Sequence, residues 1–389
     1  MRLKRPLFAR ILLSLFLLAF AQASWALPAS AQKKTDPKRP RYESAILMDA
    51  ETGQVLYEYQ PDEERIPASL VKMMLMLLVM ESIQKGAFAL DQKVTVSREA
   101  SRIGGSQVYL REGEVFTLEE LLKAVVIASA NDAAYAVAEH IAGTPEAMVD
   151  LMNERARELG MTNTKYTNVH GLPPDPGEEQ DHTSARDIAT LARQIIQHPL
   201  LLKWGRTIRD TFRGGKFTLY NTNKLLSSFP GMDGIKTGYY AKAGFNLCAT
   251  AKRGDVRLIS VILGAPTEKD RFRETRRLLT QGFRVYKKVT FFADGGPVGK
   301  PIPVKRGKKK ETTAVAAGPV SVLVKRIQAP NVKTRIAWTE TPLKAPVRKG
   351  QEVGRAELVL GGKVIASVPL KATEDIPRKR WYDWLMFWK

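Results

Sequence analysis

The sequence predicts an α+β protein: a helical cluster packed on an antiparallel sheet, followed by a small all-β domain and a C-terminal amphipathic helix. Three observations carry this. Apolar residues recur at helical spacing through much of residues 69–198. The period then changes, and GIKTGYY, FNLCATA and VRLISVILGA read as consecutive strands joined by turns too short for a crossover, hence antiparallel. Beyond about residue 290 come short alternating stretches, VSVLVKR, TRIAWTE, AELVLGG and KVIASVPL.

Taken in order, the chain opens with basic MRLKRPLFAR, apolar ILLSLFLLAFA and small-residue AQASWALPASA. This is the pattern of a signal peptide over residues 1–31, cleaved after Ala26 or Ala31. The alternative is a retained membrane anchor, against which the apolar core is shorter than the roughly 20 residues a spanning helix needs. Residues 32–41 are a polar linker. SAILMDA and QVLYEY alternate around ETG as a hairpin. Residues 69–85, apolar nearly all round, predict a buried helix. Two helical stretches broken at ASAND fill 117–142, and another runs over 145–159 to Gly160. A loop rich in proline, glycine and acid follows at 171–183, then a helix over 184–198 with Thr183 or Ser184 as N-cap. After the three strands, TEKDRFRETRRLLTQGFRVYKK returns to helical spacing. The domain boundaries expected are 40–290, 291–372 and a tail helix at 374–389. In that tail Trp381, Trp384, Leu385 and Trp388 share one helix face. The thirteen residues from Pro377 reach about 20 Å as a helix, enough to lie in a membrane interface and too short to cross roughly 30 Å of hydrocarbon; the alternative is a terminal helix docked on the chain's own β domain.

Sixty-one Lys and Arg against 40 Asp and Glu give +21, and loss of residues 1–31 leaves +17. Such a surface attracts polyanions. For an exported chain these are anionic lipids or an acidic wall polymer, not nucleic acid. The single cysteine, Cys248, excludes an internal disulfide and reads as a core residue of an apolar strand.

One lysine stands out. Lys72 follows Ser69 by three residues at the mouth of LVKMMLMLLVM. On a helix the two share a face. A serine hydroxyl is a weak nucleophile until a base takes its proton. Neutral lysine is such a base, but neutralising it at pH 7 costs about 4.6 kcal/mol in water. Burial shifts a lysine by up to about 3–5 units, so an apolar run is the right environment. Ser-x-x-Lys also occurs at Ser30/Lys33 and Ser82/Lys85, and only context selects Ser69. That context is Ser129-Ala130-Asn131, in a break between helices, and Lys236-Thr237-Gly238, in a strand.

SLVK, SAN and KTG in this order resemble the penicillin-recognising serine enzymes. SAILMDAETGQVLYE, TNVHGL, TSARDIATLAR, GMDGIKTGYYAKAGFNLCATA and GAPTEKDRFRE narrow the resemblance to the low-molecular-mass penicillin-binding proteins that are D-alanyl-D-alanine carboxypeptidases. It covers essentially the whole mature chain. It implies a β-lactamase/transpeptidase-like catalytic domain with no cofactor or metal, peptidoglycan stem pentapeptide as substrate and β-lactams as covalent inhibitors. It implies Ser69 as acylated nucleophile, Lys72 as general base, Ser129 and Asn131 as proton relay and substrate holder, and Lys236, Thr237 and Gly238 as the opposite wall. The backbone N–H groups of Ser69 and Tyr239 would form an oxyanion hole, and Arg271 would bind the substrate's terminal carboxylate. The alternative for Arg271 is a solvated helix charge. The chain departs from the family at Ala130, where glycine is common, and in the proline- and acid-rich loop 173–182. The place implied is periplasmic, peripherally attached through residues 374–389 to the outer face of the inner membrane.

Four other readings compete with this one. A class A β-lactamase needs a glutamate in an E-x-x-L-N-like loop, absent between residues 160 and 200. A D,D-endopeptidase shares every catalytic residue and differs in the groove. A zinc peptidase needs clustered ligands, and His140, His170, His182 and His198 show no such spacing. A non-enzymatic scaffold at the membrane has no need of all the catalytic residues.

Overall fold

A computed structural model describes residues 40–292 and 295–380. The expected signal segment and the tryptophan-bearing part of the tail lie outside the described residues.

The expected hairpin is present as β1 (Ser44–Asp49) and β2 (Val55–Tyr59). Two small ribbons follow, β3 (Lys93–Thr95) with β4 (Val115–Thr117) and β5 (Arg209–Phe212) with β6 (Phe217–Tyr220). The three consecutive strands are β7 (Met232–Tyr240), β8 (Gly244–Arg253) and β9 (Val256–Ala265). One antiparallel sheet results, in the order β2-β1-β9-β8-β7. Its central strands are near-continuous apolar runs because both faces are covered. Ile46, Met48, Cys248, Ile259 and Val261 face the helical cluster. Ala45, Leu47, Leu247, Ala249 and Leu258 pack under Leu278, Leu279 and Phe283 of the helix Glu268–Val285. A Cβ at Gly282 would stand 2.6 Å from Leu258 Cδ1, so glycine permits that helix its close approach.

The helix expected over 69–85 is two elements: a 3₁₀ turn, Ala68–Val71, and an α-helix, Lys72–Gln84. Ala68 has φ +50°, a left-handed conformation that an α-helix does not continue through, so Ser69 sits in the tighter turn. The 117–142 region is an α-helix Leu118–Lys123 with a Thr117/Glu120 capping box, a π-type turn Ala124–Ala128, and a second α-helix Asn131–Ala142. Ser129, at φ +62°, makes the break. The helix Pro145–Glu158 is capped by Thr144, and Ser184 caps Ala185–Ile195. The latter stops short of 198 because Pro199 starts a separate helix, Pro199–Gly205.

The helical spacing through Lys288 is overridden. Residues Tyr286–Phe291 form β10, held by a six-pair register with β14 (Val320–Lys325). Between them lie β11 (Ile302–Lys305), β12 (Glu311–Thr312) and β13 (Ala314–Ala316). After β14 come β15 (Lys333–Trp338), β16 (Leu343–Lys344), β17 (Glu352–Leu360) and β18 (Lys363–Ala372). They make the sheets β12-β11-β16 and β13-β18-β17-β15, with cores centred on Val353, Ala356 and Leu370 and on Val322 and Leu358. Residues 374–380, the start of the expected tail helix, are extended instead: Ile376 bridges Val347, and Arg378 bridges Gly307. No described helix is long and apolar enough to cross a membrane.

Candidate active site

The 3₁₀ turn, the break at Ser129 and strand β7 meet at a cleft of about 340 Å³, lined by Ser69, Ser129, Thr237, Gly238, Tyr239 and Arg271 among others. Lys72 opens its helix and is fully buried. Its Nζ lies 3.1 Å from Ser69 Oγ, 2.6 Å from Asn131 Oδ1 and 2.5 Å from the His170 carbonyl. Burial, then the nearby charge of Lys236, hold its pKa well below the ordinary lysine value; Asp132 and Asp181 act the other way. Lys236 is also buried. It donates to Ser129 Oγ at 2.7 Å and to the Thr237 carbonyl at 3.1 Å. Burial, followed by Arg271, brings its pKa down to about 7.

Of the expected residues, Ser69, Lys72 and Asn131 form one hydrogen-bonded group, and Ser129 and Lys236 form a second. Thr237 and Gly238 continue the wall. Thr237 Oγ1 donates to Thr222 Oγ1 at 2.7 Å. A Cβ at Gly238 would come within 2.6 Å of the Pro67 carbonyl, so β7 passes the Ser69 turn only as glycine. Tyr239 is half exposed, its ring stacked on Phe245 at 4.0 Å. Arg271 is buried, not a solvated helix charge. Its guanidinium lies over Phe245 and Phe272, pairs with Glu268 at 3.3 Å, and faces the carbonyls of Gly238 and Asn246. Burial lowers its pKa to about 10, which still leaves it cationic at neutral pH.

Sequence reasoning missed several supports. Asn246, wholly buried in β8, donates to the Ile66 and Pro67 carbonyls and fixes the approach to Ser69. A lone asparagine in an apolar strand was the signal for it. Asp132, buried next to Asn131, accepts the backbone N–H groups of Val108 and Leu110 and pins the loop that carries Ser106 to the cleft. His170 contributes its carbonyl, which no side-chain pattern discloses. Cys248 is buried, and burial pushes its thiol pKa far up, as befits a core residue. Among the described residues no group of His, Cys, Asp and Glu is arranged to hold a metal.

Residues 31–267 match a family model described as D-alanyl-D-alanine carboxypeptidase, and residues 286–378 match the penicillin-binding protein 5 C-terminal domain. The D-alanyl-D-alanine carboxypeptidase DacF of Bacillus subtilis is 38% identical over 378 residues, 96% of this chain and 95% of its own. Penicillin-binding protein 5 of Haemophilus influenzae superposes with a TM-score of 0.76 at 32% identity, over 88% of this chain and 99% of its own. Penicillin-binding protein D2 of Listeria monocytogenes, solved in an ampicillin-bound form, covers 63% of this chain and 98% of its own at 31% identity and a TM-score of 0.58. With its motifs gathered in one cleft, residues 31–267 matched by the family model and 96% of its length matched by the Bacillus subtilis relative, the chain belongs to the D-alanyl-D-alanine carboxypeptidase family.

Proposed function

We propose that this chain removes the terminal D-alanine from peptidoglycan stem pentapeptides through an acyl-enzyme on Ser69, and that β-lactams acylate the same oxygen. The observation that carries the proposal is the buried Lys72 Nζ, 3.1 Å from Ser69 Oγ. A lysine kept below its ordinary pKa has a lone pair to take the serine proton. Ser69 Oγ then attacks the carbonyl carbon of the D-Ala-D-Ala bond. The N–H groups of Ser69 and Tyr239 receive the oxyanion. Ser129, hydrogen-bonded to Lys236, passes a proton to the departing nitrogen, and D-alanine leaves. Water hydrolyses the ester and restores Ser69. Asn131 holds Lys72 and the substrate amide, Lys236 and Thr237 form the far wall, and Arg271 attracts the substrate carboxylate from the cleft's cationic end.

The test is D-alanine release from a pentapeptide muropeptide, with Ser69→Ala as control. The expected result is release by the native chain and none by the variant. Release unchanged in Ser69→Ala would remove Ser69 from the mechanism. A penicillin adduct at Ser69 without release would redirect the substrate to cross-linked dimers, the endopeptidase reaction.

We infer further that the enzyme works in the periplasm, attached to the outer face of the inner membrane. The spacing of the tryptophans in the tail sequence supports this, and so does the surface that precedes them. Segments 305–310, 348–349 and 378–380 hold eleven residues, of which ten are Lys or Arg. Backbone bonds gather them: Lys308 N to Pro377 O at 2.9 Å, Lys379 N to Arg306 O at 2.8 Å, and Ile376 N to Val347 O at 2.8 Å. A basic collar of this kind suits anionic lipid. The truncation that tests attachment begins at Trp381 and not at 374, since Ile376 is fully buried in the β-domain core. It should yield active enzyme with weakened membrane binding; unchanged sedimentation with membranes would acquit the tail.

A further inference from the structure

The carbonyl that holds Lys72 belongs to a loop whose own support the catalytic scheme does not use. His170 and Gly171 donate their backbone N–H groups to Asn168 Oδ1, at 3.1 and 2.6 Å. Asn168 Nδ2 in turn donates to Asp181 Oδ2 at 2.9 Å. The other oxygen of Asp181 accepts the Thr167 N–H at 2.7 Å and the Thr167 hydroxyl at 3.1 Å. Asp181 is about 1% exposed, yet no cation pairs with it among the described ion pairs. Gly171 closes the other side. A Cβ there would overlap the Ala68 carbonyl, one residue before Ser69, and its φ of +76° suits glycine.

We infer that Asp181 and Asn168 form a positioning clamp: the carboxylate orients the asparagine amide, and the amide sets the His170 carbonyl on Lys72 Nζ. The inference rests on Lys72 being the base of the proposed reaction. Donor and acceptor roles explain why each residue type is needed. Asp181 must accept on both oxygens, which a carboxylate does and an amide does not. Because Asp181 takes the Nδ2 of Asn168, the Oδ1 of Asn168 is turned to the two N–H groups of the His170 turn. In Asp181→Asn, one amide oxygen must serve two donors. Either Thr167 or Asn168 then faces an NH₂ group, and the Asn168 amide loses its fixed orientation.

The same logic yields a repair. Exchanging the two residues, Asp181→Asn with Asn168→Asp, recreates these bonds with one reversed and gives up only the 3.4 Å bond from Asn168 Nδ2 to Thr167 Oγ1. Position 181 accepts from Thr167 and donates to position 168, whose carboxylate accepts from the His170 and Gly171 N–H groups. The charged groups facing Lys72 are Lys236 from β7, Asp132 from the Asn131–Ala142 helix, and Asp181 from this loop. Asp181 favours the protonated lysine, so its neutralisation moves the acid limb of the acylation profile to lower pH.

The experiment is the second-order rate of acylation by a fluorescent penicillin from pH 5 to 10, on the full chain, with melting temperatures alongside. Asp181→Asn is expected to lose tenfold or more in rate, since about 1 Å of misplacement costs up to about 10²-fold. Its acid limb should shift downward. The exchanged pair should recover to within about threefold of the native rate, with its limb near the native position, because the charge is retained. A native rate and limb in Asp181→Asn would overturn the clamp. So would an exchanged pair that melts like the native chain but stays slow. If the single variant is too unstable to assay, the exchanged pair decides alone. Labelling that survives in Ser69→Ala would instead sink the catalytic assignment, whatever the clamp variants do.

Discussion

Lys72 and Lys236 are at most 1% exposed, whereas Lys305, Lys308, Lys309 and Lys310 of the β domain all stand in solvent. The contrast separates two uses of one side chain. An exposed ammonium keeps its hydration and acts at a distance, so its position matters less than the sum of its neighbours. A buried ammonium loses that hydration and must find fixed partners, so its position is everything. Lys72 has three oxygens within 3.1 Å, and Lys236 has two. Two lysines held under such a cost in one cleft are what the proposed chemistry requires, since perturbed groups gather at functional sites.

The largest effect expected from this contrast is on acylation. Lys72→Met keeps the volume and removes the amine. Penicillin acylation should fall by about 10²–10⁴-fold, the span attributed to a positioned base, while circular dichroism stays native. Lys305→Met, the same change on the exposed side, should leave the rate untouched. Native acylation by Lys72→Met would erase the distinction between the two regions.

An intermediate effect is expected on stability against pH. Lys236 has a folded pKa of about 7 against an ordinary 10.5. Below the folded value both states hold the proton, and the burial penalty is fully present. Above it the folded chain has released the proton while the unfolded chain retains it. Unfolding then takes up a proton, so stability rises with pH between about 7 and 10. Lys72 contributes in the same direction. Urea denaturation at pH 6.5, 8 and 9 should show this rise, and Lys236→Met should flatten it. A native curve with no rise would mean that Lys236 keeps its proton in the fold.

The comparison also shows what was legible beforehand. Strands β8 and β9 were readable because they are mostly apolar runs bounded by turns, β7 because a short turn ties it to β8, and SLVK, SAN and KTG marked the cleft because few other roles suit those residue types together. What stayed hidden depends on contacts distant in sequence. Helical spacing through Lys288 gave way to β10 because β14 supplies a partner strand 35 or so residues on. Strand β11, only four residues in a stretch dense with Gly, Pro and Lys, pairs in parallel with β16, whose two residues are too few to show alternation. For Arg271 the sequence leaves a solvated helix charge as the alternative to a carboxylate-binding role, and its enclosure by Phe245 and Phe272 removes that alternative. The His170 carbonyl has no sequence signature at all, since every residue carries one.

The smallest effect belongs to the exposed side, and it tests whether those lysines act as a sum. Each basic residue near an anionic surface contributes about 1 kcal/mol, or roughly fivefold in partitioning. Lys310→Gln with Arg348→Gln should therefore weaken binding of the full chain to phosphatidylglycerol-containing vesicles by about 25-fold at low salt. Binding to phosphatidylcholine vesicles should not change, and added salt should shrink the difference as screening sets in. Stability should move by less than about 0.5 kcal/mol, because both side chains are exposed and no core packing is lost. This sets the variant apart from Lys72→Met, where one side chain decides the outcome. Equal partitioning of variant and native chains at low salt would mean that the collar is only a solvated face, with any attachment left to the tryptophans beyond Arg380.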